Sequence, residues 1–123
     1  MARRSILPLL TLVIMFLVFH SGLKTVVAHG KSWCVAKPSA SETELKNNIA
    51  FACNYVDCSV IQPGGACFEP QATINHASVV MNAYYQKNGR HSWNCNFTCS
   101  ALTVVTDPSY CSCSYVLSSI AIG

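Results

Sequence analysis

Eight cysteines constrain the fold of this chain more than any other feature of its sequence. An even number of cysteines in a short secreted chain is typical of a disulfide framework. The chain has no Cys-x-x-Cys pair of the kind that binds zinc, and an oxidising compartment disfavours free thiolates, so we expect no metal ion. We expect no cofactor either. Spacing alone leaves every pairing open. The cysteines are Cys34, Cys53, Cys58, Cys67, Cys95, Cys99, Cys111 and Cys113.

Residues 1–28 have the layout of a secretory signal peptide. Two arginines give a positive start, and residues 6–19 form a nearly uninterrupted apolar run. A helix of that length rises only about 21 Å, short of the roughly 30 Å core of a bilayer, which disfavours a membrane anchor. We expect cleavage after Ala28, or alternatively after Gly30, and a secreted mature chain without a transmembrane span.

The mature chain is close to neutral. After residue 28, five lysine and arginine side chains balance five carboxylates, so the formal charge of +3 of the whole chain comes from the signal. No basic cluster remains that could follow a phosphate backbone, and we expect no nucleic-acid partner.

The carboxylates of the mature chain do not suggest catalysis. They stand singly or in a helix cap, whereas glycoside hydrolysis usually needs a closely spaced pair. No familiar catalytic motif is present, and His76, near a predicted helix start, is better explained as a structural residue. We therefore expect a protein that is not an enzyme.

Two helices are predicted from local signals. Ser41 and Glu44 form a capping box, and apolar residues then recur at helical spacing over residues 42–53. Thr73 can cap a second helix that runs to about Asn88, with Gly89 ending it.

Short strands are predicted in the remaining segments. Residues 93–97 and 102–106 are rich in aromatic and β-branched side chains, and a turn leads into residues 110–115. The fold class is therefore α+β: a small disulfide-rich domain with two helices packed on a short antiparallel sheet.

Four motifs give the chain a family resemblance. Residues 33–115 resemble the plant X8 domain, carbohydrate-binding module family 43, and the last residues, 116–123, form a short tail. The resemblance implies non-catalytic binding of β-1,3-glucan such as callose in the plant cell wall (apoplast). The motifs are WCVAKP at 33–38, DCSVIQPGGACFEP at 57–70, HASVVMNAYYQ at 76–86 and DPSYCSCSY at 107–115.

The same resemblance implies a disulfide pairing. The six cysteines of the family correspond to Cys34–Cys95, Cys53–Cys58 and Cys67–Cys113. The chain differs in having Cys99 and Cys111 as well, and we predict that these two form a fourth bridge across a strand hairpin. The apolar tail after Cys113 is too short for a glycolipid-anchor signal, so we expect no such anchor.

Exposed aromatic rings with neighbouring amides are the side chains expected to bind an uncharged sugar. Phe51, Phe68 and Phe97 lack a polar tip and are assigned to the core. Tyr84 continues an inward stripe of the second helix, which leaves Tyr85 and Gln86 nearer the surface. One of the last two tyrosines is expected to be exposed. The candidate carbohydrate-binding residues are Asn82, Tyr84, Tyr85, Gln86, Trp93, Tyr110 and Tyr115.

Asn96-Phe97-Thr98 is the chain's N-x-[ST] sequon and makes Asn96 a candidate glycosylation site. We expect a monomer. The alternative function is that of a secreted lipid-binding or structural cell-wall protein, although the adjacent Cys-Cys pair of plant lipid-transfer proteins is absent.

Overall fold

The computed structural model describes residues 30–118, together with Val13. The predicted signal peptide, except Val13, therefore lies outside the described residues. So does the end of the predicted tail, residues 119–123. None of the helices described is long and apolar enough to cross a membrane. The elements are β1 (Trp33–Ala36), α1 (Glu42–Ala52), a 3-10 helix (Ser59–Ile61), α2 (Thr73–Lys87), a second 3-10 helix (Ser92–Cys95) and β2 (Ala101–Val104).

Helix α1 begins at the predicted capping box. The Ser41 hydroxyl accepts a hydrogen bond from the Glu44 backbone N–H at 3.1 Å, and the Glu44 carboxylate accepts one from the Ser41 N–H at 3.2 Å. The two bonds satisfy amide groups that the first helical turn leaves without partners. The prediction of this helix is confirmed to within one residue.

Helix α2 also matches its predicted range, but its N-cap differs. Ala72 occupies the N-cap position and makes no side-chain capping bond, so the prediction that Thr73 is the cap is wrong. The Thr73 hydroxyl instead donates to the Glu42 carboxylate and links the starts of the two helices. The helix ends before Gly89, whose φ of +87° is a conformation that glycine adopts at little cost.

The sheet has two antiparallel strands. In its register, Trp33 of β1 lies opposite Val104 of β2, and Ala36 lies opposite Ala101. Helix α2 packs against both β1 and α1. The predicted α+β class, two helices with a short antiparallel sheet, is confirmed.

Two of the predicted strands are wrong. Residues 93–97 lie mostly in the 3-10 helix Ser92–Cys95, because their asparagines favour turns over extended pairing. Residues 110–115 form only an isolated bridge between Tyr110 and Cys113.

Helix α2 is the centre of the core because it is buried on two sides. Val79 and Val80 pack in one apolar cluster with Trp33, and Met81 and Tyr85 pack in a second cluster. A stripe at helical spacing predicts burial on one side only. The second buried side comes from the sheet and the segment around Cys95.

Three disulfides hold these elements together, with the pairing that the family resemblance implies. They are Cys34–Cys95, Cys53–Cys58 and Cys67–Cys113. The predicted fourth bridge is wrong, since Cys99 and Cys111 are both unpaired and exposed. The hairpin that the bridge was expected to cross does not form, because β2 pairs with β1 rather than with the segment around Cys111.

Candidate functional site

An open groove of about 420 Å³ lies where α1, α2 and the segment 93–98 meet. Aromatic rings and side-chain amides make up most of its wall, and no residue that lines it carries a charge. We call it the aromatic groove. Its lining residues are Asn47, Asn48, Phe51, Tyr84, Trp93, Asn94, Asn96, Phe97 and Thr98.

Four aromatic rings pack together beside the groove, and three of them, Phe51, Tyr84 and Phe97, line it. Phe51, in the last turn of α1, and Tyr55, in the turn that follows the helix, have ring centroids separated by 5.2 Å. Tyr84 of α2 lies 5.2 Å from Phe51 and 5.7 Å from Phe97, both in edge-to-face geometry. These separations are the ones that aromatic pairs prefer. The rings therefore support one another while remaining partly open to solvent.

Phe51 corrects one prediction directly. Its side chain is 43% exposed, and Tyr55 beside it is also exposed, so Phe51 does not belong to the buried core. Phe97 is half-buried at the groove. Phe68 is half-buried elsewhere and stacks on His76, whose Nε2 is 2.7 Å from the Phe68 carbonyl oxygen.

Trp93 provides the largest exposed aromatic surface of the groove. It is 71% exposed, although one face of the indole stacks on His91 at a centroid distance of 4.3 Å and an interplanar angle of 3°. The stack covers one face of the indole and leaves the rest of the side chain open to solvent.

The amides of the groove differ in how strongly they are held. The Asn48 side chain is buried and donates to the Ser100 hydroxyl at 2.8 Å. Asn47 is exposed. Among residues 30–118, the Asn94 Oδ1 atom is buried and has no hydrogen-bond partner. An unpaired buried acceptor is unfavourable, and this atom is enclosed by the protein rather than open to the groove.

A left-handed turn places Phe97 in the groove. Phe97, Thr98 and Cys99 have φ angles of 47°, 52° and 64°, which are uncommon for residues other than glycine. The Asn96 Oδ1 atom accepts a hydrogen bond from the Cys99 N–H at 3.1 Å and holds the turn. Backbone strain of this kind clusters at functional sites.

The seven predicted binding residues fall into separate groups. Tyr84 and Trp93 line the aromatic groove. Asn82, Tyr85, Gln86 and Tyr115 are buried, which corrects the expectation that Tyr85 and Gln86 lie near the surface. Tyr110 is half-buried and lines a different groove.

The buried members have structural partners. The Asn82 Oδ1 atom accepts from the Cys34 N–H at 3.1 Å, and its Nδ2 donates to the Val116 carbonyl at 2.7 Å. The Gln86 Nε2 atom donates to the Ser32 carbonyl at 2.8 Å, and the Tyr85 hydroxyl lies 2.9 Å from that of Ser32. These side chains of α2 form hydrogen bonds to the start of β1 and to the segment around Val116.

A second groove, of about 540 Å³, lies around Tyr110. Phe68, Glu69 and Cys111 also line it, so it contains one carboxylate and fewer aromatic rings than the aromatic groove. The Tyr110 hydroxyl lies 3.4 Å from the Glu69 carbonyl oxygen.

No carboxylate lines the aromatic groove. Two acids serve in turns instead: Asp57 accepts from the Ser59 N–H and Asp107 from the Ser109 N–H, both at 2.9 Å. Hydrogen bonds from the backbone and side chain of Ser59 lower the pKa of the Asp57 carboxyl, and those from the side chain and backbone of Ser109 lower the pKa of the Asp107 carboxyl. In the part of the chain that the structure describes, no group of three potential ligands could hold a metal ion.

Sequence reasoning missed Phe51, Phe97 and the groove asparagines. One signal was available, because Leu45, Asn48 and Ala52 form the buried face of α1 and Phe51 projects at the edge of that face. No such signal exists for Phe97, whose position depends on the left-handed turn.

The comparisons with known proteins identify a family and its relatives. The X8 domain model matches residues 32–102. A glucan endo-1,3-β-D-glucosidase of Olea europaea is 53% identical over 85 residues, covering 68% of this chain and 18% of the enzyme. The major pollen allergen Ole e 10 of Olea europaea is 41% identical over 88 residues, covering 70% of this chain and 72% of the allergen. Plasmodesmata callose-binding protein 2 of Arabidopsis thaliana is 40% identical over 85 residues, covering 68% of this chain and 44% of that protein.

The matched lengths limit what the two glucosidases imply about the activity of this chain. The chain spans less than a fifth of the two glucosidases that it matches at 53% identity. That shared part is their X8 region.

Proposed function

The chain belongs to the X8 domain family, and on that basis we propose that it binds β-1,3-glucan in the aromatic groove without hydrolysing it. The observation that carries the proposal is the composition of the groove: open aromatic rings and amides, with no charge. A glucan chain offers apolar C–H faces and uncharged hydroxyls, which such a surface complements. The callose-binding relative supports the choice of a β-1,3-glucan.

Each part of the groove has a role in this proposal. Trp93 and Phe51 stack on sugar rings, and Tyr84 and Phe97 support Phe51 from the sides. The exposed Asn47 side-chain amide offers a donor and an acceptor to the sugar hydroxyls. Tyr110 lies outside the groove and makes no contribution.

The expected affinity for a short oligosaccharide is modest. A stacked face contributes roughly 0.5–1.5 kcal/mol, by analogy with aromatic pairs. Two or three faces with a few hydrogen bonds then correspond to dissociation constants in the millimolar to micromolar range. Retention on an insoluble glucan is stronger, because the polymer repeats the site and raises the effective concentration.

The setting of this function is part of the proposal. The disulfide-rich X8 family points to the secretory pathway. We infer that residues 1–28 act as a signal peptide and that the mature protein works as a monomer in the cell wall. The near-neutral charge of residues 30–118 suits an uncharged polysaccharide and gives a nucleic acid no basic surface.

A pull-down of the oxidised mature domain on insoluble β-1,3-glucan tests the proposal, with cellulose and xylan as control polymers. Retention on β-1,3-glucan alone is expected, with no reducing-sugar release from soluble glucan. Equal retention on all three polymers contradicts the ligand, and sugar release contradicts the non-catalytic role. If the domain is retained by no polymer but binds a fluorescent fatty acid, lipid binding replaces the proposal.

A further inference from the structure

The sequon Asn96-Phe97-Thr98 forms part of the wall of the aromatic groove. All three residues line the groove, and Asn96 and Thr98 are exposed. We propose that Asn96 carries an N-linked glycan whose first sugars occupy the aromatic groove and compete there with glucan. This inference rests on the proposed function, because it names what regulates the same groove.

The Asn96 carboxamide is oriented for attachment. Its Oδ1 atom accepts a hydrogen bond from the Cys99 N–H at 3.1 Å, and a backbone N–H can bond only to the oxygen of the amide. The Nδ2 atom, to which a glycan is attached, therefore points away from the turn. Nδ2 makes no hydrogen bond to any residue that the structure describes, so attachment there removes no contact of the fold.

The modification needs one co-reactant, an oligosaccharide carried on a lipid diphosphate. The Asn96 Nδ2 atom forms a bond to C1 of the first sugar, and the bond from C1 to the diphosphate oxygen breaks. One amide proton is released, and the lipid diphosphate is the leaving group. The step involves no oxidation or reduction.

The position of the attachment atom makes the attached sugars a local competitor. They begin at the groove wall, next to Phe97 and within the same neutral surface of rings and amides. A ligand on a short flexible tether has an effective concentration in the millimolar range, comparable to the weakest affinity expected for a free oligosaccharide. The glycosylated form is therefore expected to bind a soluble β-1,3-glucan oligosaccharide about two- to tenfold more weakly than the bare form.

The tryptophans provide a readout that does not depend on glucan. The chain has two, of which Trp33 is 3% exposed and Trp93 is 71% exposed. Quenching of fluorescence by acrylamide therefore reports mainly on Trp93. Sugars that lie in the groove will reduce this quenching, whereas a glycan that extends into solvent will not.

The test compares the same mature chain made in two hosts, a secreting eukaryotic cell and a bacterial periplasm that adds no glycan. Intact mass gives the occupancy of Asn96, acrylamide quenching gives the exposure of Trp93, and titration with a β-1,3-glucan hexasaccharide gives the affinity. Thr98→Ala, which removes the sequon, is made in both hosts to isolate any effect of the host. Thr98→Ser keeps the sequon and is the matched control.

We expect a glycan on the wild-type chain and on Thr98→Ser from the eukaryotic host, with less quenching of Trp93 and weaker hexasaccharide binding. Thr98→Ala should be bare and identical from both hosts. A bare Asn96 in the secreted protein, or a glycan that changes neither quenching nor affinity, overturns the inference. If neither form binds the hexasaccharide, the proposed function fails, while mass and quenching still decide whether a glycan covers the groove.

Discussion

At the scale of single residues, amide side chains have two opposite roles in this protein. Asn82 and Gln86 are buried among backbone groups that they satisfy, whereas Asn47 and Asn94 line an open groove. Whether an amide is buried or open depends on how completely other elements cover its surroundings. Helix α2 is covered on two sides, and the groove-facing edge of α1 is not.

Replacement of Asn82 by alanine is expected to destabilise the fold. The change leaves the Cys34 N–H and the Val116 carbonyl without the partners that Asn82 supplies. Unpaired buried groups cost about 1–3 kcal/mol each, so for two groups we expect a loss of about 2–6 kcal/mol in the free energy of unfolding. Denaturant titration measures it. Asn54→Ala, at an exposed position, is the control and should change stability by less than about 0.5 kcal/mol. Equal effects of the two would contradict the assigned role of Asn82.

Tyr115 gives the stability of the domain an alkaline limit. Burial, with a smaller contribution from the neighbouring Tyr110, raises its pKa from 10.0 to about 12, because the charged phenolate is disfavoured inside the fold. The stabilisation is therefore complete below pH 10 and is lost as the pH rises towards 12. Allowing for partial contact with water, we expect a decrease of about 1–2 kcal/mol. Unfolding of Tyr115→Phe should lack this decrease, and an identical alkaline profile for both proteins would refute it.

At the scale of elements, the two helices depend on different kinds of information. The start of α1 is set by its own capping box, which is local in sequence. The exposure of each residue on α2 depends on β1 and on the segment around Cys95, which are distant in sequence.

Removal of the cap should weaken α1 without affecting α2. Ser41→Ala deletes the hydroxyl that accepts from the Glu44 N–H, and N-cap deletions of this kind cost about 0.5–2 kcal/mol. Thr43→Ala, at an exposed position in the first turn, serves as the control and should cost less. Denaturant titration measures both, and a larger loss for Thr43→Ala would show that the capping box is not the main contribution.

The contrast between local signals and contacts distant in sequence explains which features could be predicted from the sequence. Both helices and the end of α2 at Gly89 follow from local signals, and all were predicted. The strand over residues 93–97 was wrong because β-propensity did not outweigh its turn-forming asparagines. Tyr84 and Trp93 were predicted as binding residues and line the groove, but Tyr85 was expected to be exposed and is buried because α2 is covered on two sides.

At the scale of the whole molecule, three disulfides surround a small core and leave two thiols outside it. Cys34–Cys95 and Cys67–Cys113 join residues 61 and 46 positions apart, so each closes a long loop and restricts the unfolded chain. Cys99 and Cys111 are exposed, and neither has a partner within the described residues.

A thiol titration of the native mature protein is expected to find two reactive groups. Both exposed cysteines react with an aromatic disulfide reagent without denaturant, and the other six become reactive only after reduction. The double variant Cys99→Ser, Cys111→Ser should show no native thiol and should remain folded. A native wild-type protein with no reactive thiol, at the mass of an unmodified monomer, would instead support the fourth bridge.

The measurement that tests the central claim most directly is titration of a β-1,3-glucan hexasaccharide into Trp93→Ala and Tyr110→Ala. Trp93 lines the aromatic groove and Tyr110 the second groove, so the pair distinguishes the two surfaces with one aromatic deletion each. Loss of one stacked face corresponds to about 0.5–1.5 kcal/mol, which is about a two- to tenfold weaker affinity for Trp93→Ala. Tyr110→Ala should bind as the wild type does. Weaker binding by Tyr110→Ala, with Trp93→Ala unchanged, would place the ligand in the second groove and contradict the account.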